Sequence, residues 1–273
     1  MLYCIMALVA LFYMLLSNKN CRAIYHFFRI QFGYSAWKSF GCTYKNHFAF
    51  GQVILDRFAV FAGKKDIFEV EITGNEHFRS LASGSKGFIV AGSHVGNFEI
   101  SGYLLHSEGK AINALVYSGE TEVVRRNRTK MLRSNNIRLI PIADDMSHIF
   151  TACAALQSGE VVSMSCDRSL GSPKSITCDF LNGKADFPVG AFALATHFDV
   201  EAIAVFVMKE SYKKYKVHVK PIKADAAPGE ELTKREKTER YVRSFAGELE
   251  AIVRQYPTQW FNYYNFWKNE PIP

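Results

Sequence analysis

Short apolar runs alternate with helix-length segments along the middle of the chain, and most of these runs lack the polar alternation of a half-exposed strand. Strands buried on both faces have this character, and they occur in parallel sheets covered by helices. The pattern therefore predicts an α/β fold with a mostly parallel central sheet and helices on both faces. The predicted strands are Gly87–Gly92, Ile112–Tyr117, Arg138–Ile142, Val161–Cys166, Ser175–Phe180 and Ala202–Met208; the predicted helices between them are Asn97–Glu108, Glu120–Asn135, Ser147–Ser158 and Val189–His197.

The segments on either side of this alternation are also patterned. Helical spacing of apolar residues predicts helices over Tyr44–Phe61 and Leu232–Tyr256, and FEVEI predicts a half-exposed strand over Phe68–Ile72. Lys213–Lys220 alternates lysines with other residues, a pattern typical of an edge strand protected from pairing. The pattern shows no internal repeat, so residues 41–273 are expected to form a single domain.

The amino-terminal segment is different in character. Leu2–Leu16 is uncharged and continuously apolar, but it is shorter than the roughly 20 residues that cross a bilayer perpendicularly. Basic residues follow it, which by the positive-inside tendency keeps the body in the cytoplasm. We therefore expect residues 1–40 to anchor the protein to a membrane, either lying on it or spanning it. The alternative is a helix buried in the protein core.

Charge narrows the choice of partners. The 273 residues carry a net charge of +7, which favours phosphate groups, an acidic protein or a membrane surface. Zinc-finger spacing and a basic recognition arm are missing, so nucleic acid is not expected as a partner. The six cysteines are scattered without a CxxC, and we expect reduced, buried thiols.

A histidine and a carboxylate follow the first buried strand, in the segment SHVGNFE. His94 and Glu99 lie five residues apart, about 140° around a continuous helix, so they cannot meet on one. They can meet if Gly96 bends the chain and the helix begins near Asn97. Glu99 would then fix the histidine tautomer, and His94 would serve as a general base. The alternative for an isolated H-x4-E is a histidine that caps a helix beside a solvated glutamate.

A second candidate lies at another strand end. Asp167 and Arg168 follow the strand Val161–Cys166, and the carboxyl ends of parallel strands share one edge of a sheet. Other chemistries have weaker support, because HExxH, GxSxG, GxxxxGK[ST] and GxGxxG are all missing. We expect neither a metal nor a cofactor.

These motifs, in this order, resemble those of the lipid A late acyltransferases, which add secondary acyl chains to lipopolysaccharide precursors. SHVGNFE matches the family's H-x4-[D/E] motif, and GEVVSMSCDRS matches a second block that ends at Asp167. The family usually has Asp-Gln or Asp-His where this chain has Asp167-Arg168. Further matches are the ending YPTQW and the spaced residues Phe180, Gly183, Pro188, Gly190, Leu194 and Ala195.

The resemblance implies an enzyme on the cytoplasmic face of the inner membrane that moves an acyl chain from acyl carrier protein to a hydroxyl of a lipid A precursor. His94 and Glu99 would be catalytic, and Asp167 and Arg133 would complete the site. Substrate contacts are also expected from Arg168, Asn97 and Gly96, and backbone amides near Gly96 or an arginine would hold the oxyanion.

One departure affects the acceptor: many members have Arg-Pro where this chain has Ser118-Gly119. Two alternatives therefore stay open. The enzyme would acylate another lipid, such as a lysophospholipid, an aminolipid or a pigment, or the chain would be an inactive lipid-binding protein. Acyl-chain length and the choice between carrier protein and coenzyme A as donor do not follow from these motifs.

Overall fold

A computed structural model describes residues 2–16, 18–105, 107, 109–117, 136–142, 145–168 and 174–267. Its helices are α1 (Leu2–Leu16), α2 (Asn18–His26), α3 (Ala36–Phe61), α4 (Asn75–Ser83), α5 (Ser101–Leu104), α6 (Ser147–Gln157), α7 (Gly190–Phe198) and α8 (Lys234–Gln255), with a π-helical turn at Phe27–Gln31 and 3₁₀ turns at Lys65–Ile67, Phe98–Ile100 and Pro257–Gln259. Its strands are β1 (Glu69–Thr73), β2 (Phe88–Gly92), β3 (Ile112–Tyr117), β4 (Ile137–Ile142), β5 (Val161–Ser165), β6 (Ser175–Phe180), β7 (Gly183–Pro188), β8 (Ala202–Lys209) and β9 (Lys214–Ile222).

The central sheet has seven strands in the order β1-β9-β8-β2-β5-β3-β4, and β6 and β7 form a separate antiparallel hairpin. Strands β8, β2, β5, β3 and β4 are parallel to one another. Strand β9 is antiparallel to β8, and β1 is parallel to β9. The predicted mostly parallel sheet is thus confirmed. The predicted helix at Glu120–Asn135 lies outside the described residues.

Both faces of the sheet are buried, because alternate residues of one strand enter two different cores. In β2, Ile89 and Ala91 join a core that includes residues of α6, α7 and α8, whereas Phe88 and Val90 join a core that includes residues of α3 and α4. Helices on both faces explain why the strand is apolar at every position.

The prediction that Lys213–Lys220 forms an edge strand is wrong. Strand β9 lies between β1 and β8, and Tyr215 and Val217 are fully buried. The lysines pair with the neighbouring strand β1 instead of guarding an edge: Lys214 Nζ lies 3.2 Å and Lys216 Nζ 2.8 Å from the carboxylate of Glu71. Alternating lysines therefore do not by themselves distinguish an edge strand from an internal strand whose lysines form ion pairs with its neighbour.

Helix α1 packs along α3 through one side only. The Tyr3 hydroxyl donates to Asp56, and a β-carbon at Gly51 would lie 2.3 Å from the sulfur of Met6, so the two helices approach closely here. The other side exposes apolar side chains, including Leu8 at 71% and Phe12 at 64%. Among the described helices, none combines the length and the apolar character needed to cross a bilayer. The domain boundary expected at residue 40 falls inside α3.

The aromatic tail after α8 returns to the core. Trp260 is 1% exposed and contacts Phe27 and Phe180 edge-to-face. The backbone of this segment also pairs with the loop after β2: Phe261 N–H donates to the carbonyl of His94 at 2.9 Å. The tail therefore braces the segment in which the candidate histidine lies.

Candidate active site

Two adjacent parallel strands deliver the central pair of side chains. Strands β2 and β5 are paired in register so that Gly92 lies opposite Ser165. His94 and Asp167 each follow two residues later, at the same edge of the sheet. The expectation that both lie at carboxyl ends of the sheet strands is confirmed, and the register places them side by side.

Asp167 holds His94 through two hydrogen bonds. One carboxylate oxygen accepts from the His94 backbone N–H and the other lies against the ring Nδ1, each at 2.8 Å. An ionised carboxylate only accepts hydrogen bonds, so Nδ1 carries a proton and donates it. Nε2 has no hydrogen-bond partner among the described residues, and the histidine side chain is 35% exposed whereas that of Asp167 is 1% exposed. The arrangement presents a basic nitrogen to solvent with its tautomer fixed from behind.

The charge state of the pair is favourable for this role. Burial alone raises the pKa of Asp167, but the contacts and charge of His94, aided by Arg168, outweigh burial and hold the pKa below its usual range. Asp167 therefore remains a carboxylate in the interior. The neighbouring thiol differs: burial raises the pKa of Cys166, which keeps it protonated and unreactive.

The loop after His94 bends where the sequence predicted. Gly96 has a φ of +63°, and a β-carbon there would lie 2.2 Å from the carbonyl oxygen of Val207. Only a 3₁₀ turn at Phe98–Ile100 and the short helix α5 follow, so the helix predicted over Asn97–Glu108 is shorter. The bend separates His94 from the 3₁₀ turn that carries Glu99.

Gly96 and Asn97 hold the loop in place. Their backbone N–H groups donate to the carbonyls of Gln259 at 2.8 Å and Val207 at 2.7 Å. The buried Asn97 amide donates to Val53 O and to the Tyr215 hydroxyl, both at 3.3 Å. These two amides are therefore engaged and not free to stabilise an oxyanion. A contact of either residue with substrate stays a prediction.

Glu99 does not occupy the position expected from the sequence. The carboxylate that contacts the imidazole ring is Asp167, and Glu99 forms an ion pair with Arg57 of α3. The bend at Gly96 directs the following turn toward α3, so the tautomer of His94 is fixed from the neighbouring strand end. Participation of Glu99 in catalysis stays a prediction.

The two predicted arginines differ in what the structure shows. Arg168 lies beside Asp167; its Nη2 donates to Phe261 O at 2.8 Å, and its guanidinium lies 5.4 Å from the centre of the Tyr264 ring. Its Nε is buried and has no partner among the described residues. Arg133 lies outside the described residues.

An apolar cavity of about 90 Å³ opens beside the loop on the α4 side of the sheet. Its wall includes Phe78, Val90, Phe98 and Leu139, and Glu99 also lines it. The lining suits an alkyl chain better than a polar ligand. Among the described residues, no group of three or more histidine, cysteine, aspartate or glutamate side chains is arranged to hold a metal ion.

Arg57 is the site residue that the sequence analysis missed. A signal was present, because Asp56 and Arg57 are the charged residues in an otherwise uncharged stretch between Lys45 and Lys64. A charged pair inside an apolar helix needs partners from elsewhere in the fold. The structure supplies Lys209 for Asp56 and Glu99 for Arg57.

Comparison with known proteins adds one finding. The family model described as bacterial lipid A biosynthesis acyltransferase matches residues 45–269, which is more than half of the chain. This range includes β2, β5 and the whole of the site described above. A comparison with curated proteins finds no match.

Proposed function

The chain belongs to the bacterial lipid A biosynthesis acyltransferase family and is an acyltransferase, and from that premise we propose that it moves a fatty acyl chain from an acyl thioester to a hydroxyl of a lipid A precursor. The observation that carries the proposal is the contact between His94 and the buried Asp167. This pair offers the base that a hydroxyl acceptor requires, without a separate nucleophile on the protein.

The proposed reaction begins with the acceptor hydroxyl against Nε2 of His94. The ring removes the proton as the oxygen attacks the thioester carbonyl, and Asp167 stabilises the imidazolium that forms. The new carbon–oxygen bond then persists while the carbon–sulfur bond breaks. The proton passes from Nε2 to the departing thiolate, which restores the neutral histidine.

A cation is proposed to stabilise the oxyanion. Since the N–H groups of Gly96 and Asn97 are engaged by backbone carbonyls, a guanidinium is the better candidate. Arg168 has a buried Nε without a described partner and lies next to Asp167. Arg133 remains the second candidate from the sequence.

The apolar cavity is proposed to receive part of a hydrocarbon chain of the lipid acceptor. Ser101 and Gly102 line it as well as Glu99, so its wall includes the helix that follows the His94 loop. An acceptor held there would place its free hydroxyl toward the loop. We further propose that acyl carrier protein, an acidic protein, is the donor, because the net charge of +7 favours an acidic partner.

We propose that the outer side of α1 lies on the cytoplasmic surface of the inner membrane. Leu8, Phe12 and Leu16 are each more than 60% exposed and recur at helical spacing, and Trp37 at the start of α3 is 87% exposed. Exposing such an apolar surface to water raises the free energy of the protein, and burying it in the headgroup region of a membrane lowers that free energy. The location would bring the site to an amphiphilic acceptor.

Vesicle sedimentation tests the membrane proposal. Because burying a leucine or phenylalanine side chain contributes about 1.5–3 kcal/mol, Leu8→Glu with Phe12→Glu should lower partition onto phospholipid vesicles by at least about a hundredfold. Phe150→Glu, at a 75% exposed position of α6, is the matched control. Unchanged partition of the double variant would remove α1 as the membrane contact.

An acyl-transfer assay tests the reaction. With a lipid A precursor as acceptor and acyl carrier protein or coenzyme A carrying the same chain as donor, wild-type protein should prefer the carrier protein. His94→Ala should abolish transfer while the protein stays folded, and His197→Ala, at an exposed position of α7, should leave the rate unchanged. Retained transfer by His94→Ala would refute the mechanism.

A further inference from the structure

The guanidinium of Arg57 has a hydrogen-bond partner at Nη1 and none among the described residues at Nε. Its Nη1 donates to Glu99, the carboxylate found within ion-pair distance among the described residues. Its Nε is buried and has no hydrogen-bond partner in the described part of the chain. Buried donors are nearly always paired, so an arginine Nε without a partner indicates an acceptor that the described part of the chain does not supply.

The adjacent aspartate does not supply it. Asp56 accepts from the hydroxyls of Tyr3 and Tyr215 and from the ammonium of Lys209, whose side chain is 7% exposed. That charge is already balanced inside the protein. Arg57 is therefore counterbalanced from outside α3, by the carboxylate of Glu99.

The Arg57–Glu99 pair is well suited to exchange. The arginine side chain is 24% exposed and the glutamate side chain 37% exposed, and ion pairs this exposed contribute little to stability. A phosphate monoester carries a charge of about −1.5 to −2 near neutral pH, against −1 for a carboxylate. It can also accept two parallel N–H bonds from the guanidinium fork. A phosphate monoester would therefore displace Glu99.

The position of the pair specifies the rest of the ligand. Glu99 lines the apolar cavity and pairs with Arg57, so the partly exposed guanidinium lies next to a residue of the cavity wall. A ligand that filled both places would carry an alkyl chain and an anionic head. The cavity and the arginine together therefore fit an amphiphilic phosphate.

We propose that Arg57 is a subsite for the phosphate monoester of an amphiphilic substrate, and that Glu99 occupies this subsite until the substrate arrives. The assignment rests on the proposed acyl transfer for the identity of the substrate, whose phosphate belongs to the lipid acceptor. A phosphodiester on the acyl donor would share the chemistry, but it would carry a single negative charge and compete less well with Glu99.

Binding of decyl phosphate, measured by titration calorimetry on the full chain below its micelle concentration, tests the subsite directly. Arg57→Gln should weaken binding at least tenfold and leave binding of the neutral decyl glucoside unchanged. Glu99→Gln should tighten decyl phosphate binding severalfold, because the competing carboxylate is gone. Arg243→Gln, which breaks an arginine–glutamate pair on α8, is the matched control and should bind both probes like wild type.

The Arg57→Gln variant could overturn the proposal in two ways. Binding of decyl phosphate as tight as that of wild type would do so, and so would an equal loss of both probes, which indicates damage to the cavity. Circular dichroism establishes folding, and Arg57→Lys, which keeps the charge without the fork, should fall between wild type and Arg57→Gln. Equal binding by Arg57→Lys and Arg57→Gln would also contradict it.

Steady-state kinetics separates the two sources of phosphate. Arg57→Gln should raise the KM for a phosphorylated acceptor at least tenfold, with no change for the dephosphorylated acceptor or the donor. A rise confined to the donor would overturn the assignment to the acceptor. Because decyl phosphate binding can also be measured in His94→Ala, failure of the subsite is distinguishable from failure of the proposed acyl transfer.

Discussion

Replacing Asp167 by asparagine tests how the site fixes the tautomer of His94. The carboxylate accepts two N–H groups at once, one from the His94 backbone and one from the ring Nδ1. An asparagine side chain has one oxygen and one NH₂ group, so it can satisfy only one of these donors. The backbone N–H cannot give up its proton, so the oxygen should turn to it and the NH₂ group should face the ring.

The consequence is a change of tautomer. Nδ1 must become an acceptor for the NH₂ group, and the ring proton moves to Nε2, the nitrogen that should take the proton of the acceptor hydroxyl. The equivalent substitution in serine proteases lowers kcat by about 10⁴. We expect a loss of about 10³–10⁴ here, which corresponds to about 4–5.5 kcal/mol of transition-state stabilisation at 1.36 kcal/mol for each factor of ten.

Single-turnover acyl transfer with a preloaded donor measures this effect without interference from product release. Asp199→Asn is the matched control, because Asp199 is an exposed aspartate that contacts Lys237 at 2.9 Å far from the loop in the sequence. Urea unfolding of both variants shows whether the fold is as stable as in wild type. A rate for folded Asp167→Asn within tenfold of wild type would refute the proposed role of Asp167.

Two further substitutions and one titration test the supporting structure. Gly96→Ala should destabilise the fold by at least about 1–2 kcal/mol, because a left-handed φ is costly for alanine and its β-carbon would meet a backbone carbonyl. Gly190→Ala is the control, because a β-carbon there meets no atom within 4 Å, and it should not destabilise the fold. Equal urea midpoints for the two variants would contradict this prediction. Burial lowers the pKa of His47 and of His218, so the unfolded chain binds more protons than the native state below about pH 6.5. The free energy of unfolding should therefore be retained above about pH 7 and fall between pH 7 and 5. The fall should be smaller in the double variant His47→Gln, His218→Gln. An identical fall in wild type and the double variant would show that these two histidines do not cause it.

The sheet could be predicted because its strands are short, apolar and separated by helical segments. Strand β3 and strand β6 begin and end where the pattern placed them. The pattern missed β7, since GKADFP contains a lysine, an aspartate and a proline and shows no clear apolar alternation. It forms because it pairs with β6 in a hairpin.

The position of His94 and Asp167 followed from the sequence, but their contact did not. Strand order decides which loops meet, and β5 pairs with β2 although β3 and β4 come between them in the chain. The sequence motif suggested Glu99 as the partner because it is close along the chain. Tertiary pairing supplied a different carboxylate.

The aromatic tail shows the same limit. The pattern TQWFNYYNFW predicted no definite element, yet Trp260 is among the largest fully buried side chains and the adjoining backbone holds Gly96. A contact between residues more than 160 positions apart leaves no local signal. The chemistry of single positions could thus be anticipated, whereas the partners that fix them depend on the packed fold.

Mass spectrometry of lipid A from the host tests the central claim most directly. Cells without the gene should lack one acyl chain on lipid A, wild-type protein should restore it, and His94→Ala at equal abundance should not. An unchanged lipid A in the absence of the gene, or full restoration by His94→Ala, would contradict the account.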